Sequence, residues 1–571
     1  MFHQILKIFK RKRYGRNQDI DPDEIFLDSQ NLPDFDTHQF EGRIEKPISQ
    51  GVYNAFFIFF LIVGGVFMYK VWDLQITRGD SFRKRSDNNS LHQILIYANR
   101  GVIYDRNKIP VVWNDINPDS PDFSLRVYAT STGLSTILGY IKYPTKDSKG
   151  FYYQTKFDPK DGLEKIYDTE ISGRNGTKII ETDVKGEVIS EAVVDPPVDG
   201  RNLELSIDLR LQRRLYASLL DIAERAGYRG GAGVIMNVET GEILALSNFP
   251  QYDSQTMTDG SDTQKINSWI NSNNFPFLNR VVSGLYTPGS IIKLFVSMGV
   301  LTEGVINPSK QILSTGSITI PNPFFPDKPS VFMDWKVHGL VDLRRAIAVS
   351  SNVYFYEVGG GFRNQKGIGI LNIEKYSRMF GFGTTTGISF PGEKNGTIPS
   401  PEWKKTTFKG EEWRVGDTYN TAIGQYGFQV SPLQAVRAVA AIANDGKLLV
   451  PTFIKNQNIK LTPAKVTSVL ELDPKHYTIV KEGMRLGVTE GTSAPLNFPF
   501  VEIASKTGTA QIGVAKGEVN SWVVGFWPYK NPKYAYAIVM ERGSKNNQFN
   551  ATLVMREFFS WLFIYAPEYL E

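Results

Sequence analysis

The chain is 571 residues long, with 41% hydrophobic and 22% charged residues, which places it among folded proteins and predicts two or more domains. Its 64 lysines and arginines against 59 acids leave a net charge of +5, too even a balance to argue for a nucleic-acid partner. Cysteine is absent, which excludes disulfides and cysteine metal sites, and the five histidines, at positions 3, 38, 92, 338 and 476, form no cluster at ligand spacing, so no metal and no cofactor is expected.

Residues 1–51 read as a polar, acid-containing tail on the cytoplasmic side. From Val52 to Trp72 the run VYNAFFIFFLIVGGVFMYKVW is apolar and uncharged as far as Lys70, with Tyr53, Tyr69 and Trp72 near its ends. That length and those aromatics predict one membrane-spanning helix over 52–72. Asp19, Asp21, Asp23 and Glu24 precede it and no small-residue cleavage pattern follows, so it is expected to stay as an anchor. Lysines and arginines lie on both sides, and charge alone does not orient it.

Residues 73–205 carry short strand-like runs such as LHQILIYANRGVIYDRN and predict a β-rich pedestal. A second domain is expected over 206–571. Ser206 to Gly227 holds Leu211, Leu215, Leu219 and Ile222 at helical spacing before a glycine stop. GAGVIMNVETGEILALSNF predicts a hairpin around its ETG turn. SPLQAVRAVAAIANDG predicts a helix capped by Ser431, with Pro432 in its first turn and Gly446 at its stop. Three further strand runs, VEIASKTGTAQ, NSWVVGFWP and YAYAIVMERG, are followed by an apolar helix from Ala551 to Tyr565. The sum is an α+β fold: an antiparallel sheet covered by helices, with a helical insert between the hairpin and the last three strands.

Three short motifs carry chemistry. YTPGSIIKLF places Ser290 at a helix start with Lys293 three residues on, where its amine can reach the hydroxyl and act as base if burial lowers its pKa. AVSSNVYFY places Ser350 and Asn352 at a spacing that projects both into one cleft. VEIASKTGTAQ ends a strand run with Lys506, Thr507, Gly508 and Thr509; Gly508 permits close approach of an added backbone, and the lysine and threonines suit a carboxylate. Singly, these are a capped helix, a helix cap and a solubilising edge lysine. In this order, Ser-x-x-Lys, Ser-x-Asn and Lys-Thr-Gly resemble the signature of penicillin-binding proteins and class A β-lactamases.

The wider chain resembles class B penicillin-binding proteins, most of all the elongation-type group, penicillin-binding protein 2. The resemblance rests on RGVIYDRN at 100–107, GLEKIYD at 162–168, NLELSIDLRLQ at 202–212, DWKVHG at 334–339 and GDTYNTAIGQYG at 416–427. It implies a peptidoglycan transpeptidase acting on stem peptides and acylated by β-lactams. Ser290 would be the nucleophile and Lys293 its base, with Ser350 linking Lys293 to Lys506. Asn352 would bind the donor peptide, and Lys506, Thr507 and Thr509 its terminal carboxylate, with the backbone N–H groups of Ser290 and Thr509 as oxyanion hole. It also implies a membrane-embedded glycosyltransferase and elongation machinery as partners, and residues 73–571 outside the cytoplasmic membrane. A β-lactamase, a β-lactam sensor and a D-alanyl-D-alanine carboxypeptidase share the motifs. Two departures stand out: Gly424-Gln425-Tyr426-Gly427 replaces the usual Gly-Gln-Gly, and the head region between RGVIYDRN and GLEKIYD is trimmed.

Overall fold

The computed structural model describes residues 49–571 except 119–121, 131, 148–151, 183–187, 323–324, 456–464 and 514–516, with only the backbone of 85–90. The expected tail over 1–51 therefore lies almost wholly outside the described residues. Contacts divide the chain into two units, 1–90 and 91–571. In the first, helix α1 (Gln50–Trp72) starts two residues before the expected span and continues through the turn Asp73–Thr77. It buries none of its residues and has a mean hydropathy of 2.1, long and apolar enough to cross a membrane. A second helix, Gly79–Ser90, follows, so β structure begins only at Leu91.

The second unit opens with the β-rich module. Strands Leu91–Ile96, Gly176–Thr182 and Val188–Asp195 form one antiparallel sheet. Four others, among them Ile103–Tyr104 and Leu203–Glu204, form a second, and these two pair in parallel. The family-like segments RGVIYDRN and GLEKIYD meet here through charge. Glu164 accepts from Arg100 Nε at 2.9 Å and Arg126 Nε at 2.7 Å, and all three side chains are buried.

The rest is built on a five-stranded antiparallel sheet. Its strands are β1 (Gly230–Asn237), β2 (Ile243–Phe249), β3 (Ala504–Ile512), β4 (Glu518–Trp527) and β5 (Tyr534–Ser544), in the order β2-β1-β5-β4-β3. Successive side chains point to opposite faces, and here both faces are covered. Ile235, Val523 and Ile538 join one core with helices α2 (Leu209–Ala226) and α6 (Ala551–Tyr565). Their neighbours Val234, Val524 and Val539 join the other, with α3 (Lys293–Thr302) and α5 (Pro432–Ala443). Burial on both sides explains why these strands read as apolar runs rather than as alternating ones.

The helix signals act close to expectation, although α2 begins at Leu209 rather than at Ser206 and α5 ends at Ala443, before Gly446. Leu211, Leu215, Leu219 and Ile222 are the buried stripe of α2, Asp208 caps it through Arg210 N, and Gly227 ends it at φ 65°. Ser431 caps α5 in a reciprocal box with Gln434, and every residue of α5 is buried. The start of α2 is also a junction. Asp208 Oδ2 accepts from Asn107 Nδ2 at 2.9 Å and from the Tyr569 hydroxyl at 2.8 Å, while Leu209 N donates to Asp105 at 3.1 Å.

Candidate active site

Ser290 lies in a tight 3-10 turn, Gly289–Ile292, that leads into α3 at Lys293. The turn is pressed between two segments. Gly289, at φ 56°, donates to Gly424 O at 3.0 Å, and Trp522 Nε1 on β4 donates to Thr287 O at 3.0 Å. A Cβ on Gly508 would stand 2.8 Å from Pro288 O, and one on Gly289 would stand 2.8 Å from Thr509 O. Glycine at both places lets β3 lie directly against the serine turn. The motif Lys506 to Thr509 lies inside β3 rather than at the end of a strand: 501–503 belong to no strand, and β3 runs from Ala504 through Ile512.

The Ser350 motif enters from a third direction. Helix Leu343–Ala348 ends, Ser350 takes a left-handed φ of 59°, and α4 (Asn352–Gly360) begins with Ser351 as its cap, accepting from Tyr354 N at 3.3 Å. The helix-cap reading of this motif and the cleft reading both hold, for adjacent residues. Left-handed geometry in a non-glycine residue costs roughly 1–3 kcal/mol and persists only where surrounding contacts impose it.

These contacts converge on the lysines. Lys506 Nζ donates to Ser350 Oγ at 2.8 Å and to Thr507 O at 2.7 Å. Lys293 Nζ donates to Ser350 O at 2.7 Å and Asn352 Oδ1 at 2.7 Å, and lies 3.4 Å from Ser350 Oγ. One hydroxyl therefore stands between two buried amines 213 positions apart in the chain. The expected Lys293–Ser290 hydrogen bond is not formed: the 3-10 turn separates Ser290 from the α-helical start, and the amine is taken up by the Ser350 carbonyl and Asn352 instead. Ser290 is half-buried, as are Asn352 and Thr507, while Thr509 is exposed.

Burial sets the electrostatics. It pushes Lys293 down to about 7, against an opposing pull from the Asp334 carboxylate. Burial and the neighbouring Lys293 charge together hold Lys506 well below the ordinary lysine value. Two ammoniums sharing one hydroxyl repel, so the pair titrates as a unit with a neutral amine present near neutral pH. That arrangement can take a proton from an alcohol and pass one between amines through Ser350.

Two further residues join the site. Thr492 Oγ1 lies 2.6 Å from Thr507 Oγ1, and its N–H donates to Ala348 O at 3.1 Å, tying β3 to the helix before Ser350. Asp334, read in DWKVHG only as a mark of kinship, lies beneath the turn of Ser350 to Asn352. Nothing in the spacing along the chain announces either contact.

The departing loop is held by aromatic rings. Tyr426 has φ 60°; its ring stacks on Phe408 at 6.1 Å and meets Trp403 and Trp413 edge-on, each at 5.8 Å. Lys404 beside it is buried and paired with Asp417 at 2.8 Å.

The sequence profile of the penicillin binding protein transpeptidase domain matches residues 231–560, and that of the penicillin-binding protein dimerisation domain matches 122–205. A peptidoglycan D,D-transpeptidase MrdA of Salmonella typhimurium is 26% identical over 608 residues, covering 87% of this chain and 93% of its own. Among solved structures, Pseudomonas aeruginosa PBP2 in complex with WCK 5153 superposes with a TM-score of 0.66 at 29% identity, covering 82% of this chain and 98% of that one. Helicobacter pylori PBP2, solved with MreC, gives a TM-score of 0.67 at 26% identity over 83% and 99% of the two chains.

Proposed function

Since the chain belongs to the penicillin-binding protein transpeptidases, in the class B group of penicillin-binding protein 2, we propose that it is a membrane-anchored, serine-type peptidoglycan D,D-transpeptidase whose nucleophile is Ser290. Lys293, in its neutral form, removes the Ser290 proton as the oxygen attacks the carbonyl of the penultimate D-alanine in a stem peptide. The oxyanion is received by the N–H groups of Ser290 and Thr509; the loss of one such preorganised donor costs roughly 3–4 kcal/mol. The C–N bond then breaks, and a proton passed through Ser350 from the lysine pair lets D-alanine leave. An amine of a neighbouring stem attacks the acyl-enzyme, forms the cross-link and restores the serine.

Asn352 holds the donor peptide amide, and Lys506, Thr507 and Thr509 hold its terminal carboxylate. A β-lactam follows the same first step, but its amine stays tethered after the ring opens, and the acyl-enzyme persists. Catalytic hydrogen bonds are commonly loose without substrate and tighten in the complex, which accommodates the Lys293 amine resting on Ser350 and Asn352. The observation that carries this reading is the Ser350 hydroxyl at 2.8 Å and 3.4 Å from the Lys506 and Lys293 amines.

Residues beyond α1 face the outer side of the membrane, where stem peptides are. The partners are a membrane-embedded glycosyltransferase and the elongation machinery, in keeping with the Helicobacter pylori relative solved with MreC. Labelled penicillin given to the full-length protein tests the function. A long-lived adduct on Ser290, lost in Ser290→Ala, together with joined donor and acceptor peptides, is the expected result. Rapid drug turnover indicates a β-lactamase, and D-alanine release without joining indicates a carboxypeptidase.

A further inference from the structure

The turn bearing Ser350 and Asn352 rests on a carboxylate to which the reaction above assigns no part. Asp334 follows the strand Ser330–Met333, and its side chain is wholly buried. Its Oδ2 accepts from Ser351 Oγ at 2.9 Å, Val353 N at 3.0 Å and Ser314 Oγ at 3.2 Å. Its Oδ1 accepts from Trp335 N at 2.8 Å and lies 3.7 Å from His338 Nε2. Two of those donors, Ser351 and Val353, belong to the first turn of α4, where unpaired N–H groups and the helix dipole favour an anion.

A cap alone does not account for a charge at this depth. Ser351 already caps α4, and a neutral side chain could accept the remaining N–H. A carboxylate without water is costly unless a cation answers it. Against the upward push of burial, the Val353 and Asn352 N–H groups, and after them the charge of Lys293, hold the Asp334 carboxyl below its ordinary value. The other ionisable groups facing this pair are Lys506 on β3, His338 and Lys336 on the segment after Ser330–Met333, and Tyr356 on α4. Ser350, whose strained backbone turns its carbonyl to Lys293, is joined to the Asp334 assembly through Ser351.

We propose that Asp334 is a positioning residue for the transpeptidase reaction, fastening the turn that presents Ser350 and Asn352 and supplying the fixed negative charge against which the Lys293 amine is set. It touches neither substrate nor the Ser290 oxygen and acts through Ser351, Val353 and Lys293. The proposal rests on the functional reading above. It goes beyond that reading by giving the base a counter-charge.

The test is the rate of Ser290 acylation by a fluorescent penicillin across pH, in the full-length wild type and in Asp334→Asn, Ser314→Ala and His338→Gln, with the melting temperature of each. Removing a negative charge lowers a nearby lysine's pKa. Asp334→Asn should therefore move the acidic limb down by about one pH unit, while the plateau rate falls at least tenfold. Ser314→Ala keeps the charge and loses one donor; its rate should fall a few-fold with the limb unmoved. His338→Gln should leave the limb in place. The proposal is overturned if the limb of Asp334→Asn stays where the wild type has it, or if His338→Gln displaces it. If Asp334→Asn does not fold, a wild-type rate in Ser314→Ala overturns the proposal and a slowed rate with an unmoved limb supports it. A wild type that takes no label on Ser290 sinks the functional reading instead.

Discussion

In the proposed reaction a lysine serves as base because its surroundings remove water. An amine with an ordinary pKa of 10.5 is almost wholly protonated at neutral pH, and burial brings Lys293 to about 7. The neutral amine is the active form, so acylation should rise through pH 7 and fall below it, an acidic limb read from pre-steady-state penicillin acylation; a limb above pH 9 would contradict the burial argument. Ser350 should matter through both amines. Ser350→Ala deletes the one hydroxyl between them and should slow acylation 10²–10⁴-fold, the usual range for a lost proton-transfer group, with little change in melting temperature because only one side chain oxygen is removed.

At the scale of elements, the loop at Tyr426 shows two effects in opposition. A left-handed tyrosine costs roughly 1–2 kcal/mol relative to glycine. Against that, its ring meets three others, each such contact being worth about 0.5–1.5 kcal/mol beyond burial. The rings win, and Tyr426→Gly should destabilise by roughly 1–2 kcal/mol in denaturant titration even though it relieves the backbone. Elements were also where the sequence spoke most clearly. Leu211 to Ile222, the Ser431 cap and the apolar run from Ala551 announce three helices, the last at its expected bounds and the other two within about three residues, because periodicity and capping are local. By sequence pattern the KTGT segment ends a strand run because threonine and glycine blur the alternation; pairing with β4, Lys506 opposite Val524 and Gly508 opposite Trp522, is what carries the strand on to Ile512.

Across the whole molecule, what the sequence did not reveal are contacts between distant positions. Motif order groups Ser290, Ser350 and Lys506, but no local pattern pairs Thr492 with Thr507 or sets Arg100 and Arg126 on Glu164. That buried ion cluster is a test of how the β-rich module is held. Burial pushes the Glu164 carboxyl up, and the two guanidiniums outweigh it and hold it below the ordinary 4.5. A depressed carboxylate stabilises the fold above pH 4.5, and that contribution is lost as pH falls through the lower, folded value. Glu164→Ala leaves two buried guanidiniums without their shared partner and should cost about 3–5 kcal/mol, seen as a large drop in melting temperature and early cleavage of the module by protease.

The knot at Asp208 has a temporal meaning as well as a mechanical one. Its oxygens gather Asn107 from the early chain and the Tyr569 hydroxyl from its far end, a closure spanning 361 positions between Asp208 and Tyr569. A chain emerging vector-wise must wait for position 569 before that clasp can shut. Until then the Asp208 carboxylate keeps only its partners from earlier in the chain, Asn107 and Arg210, and the start of α2 lacks its last fastening.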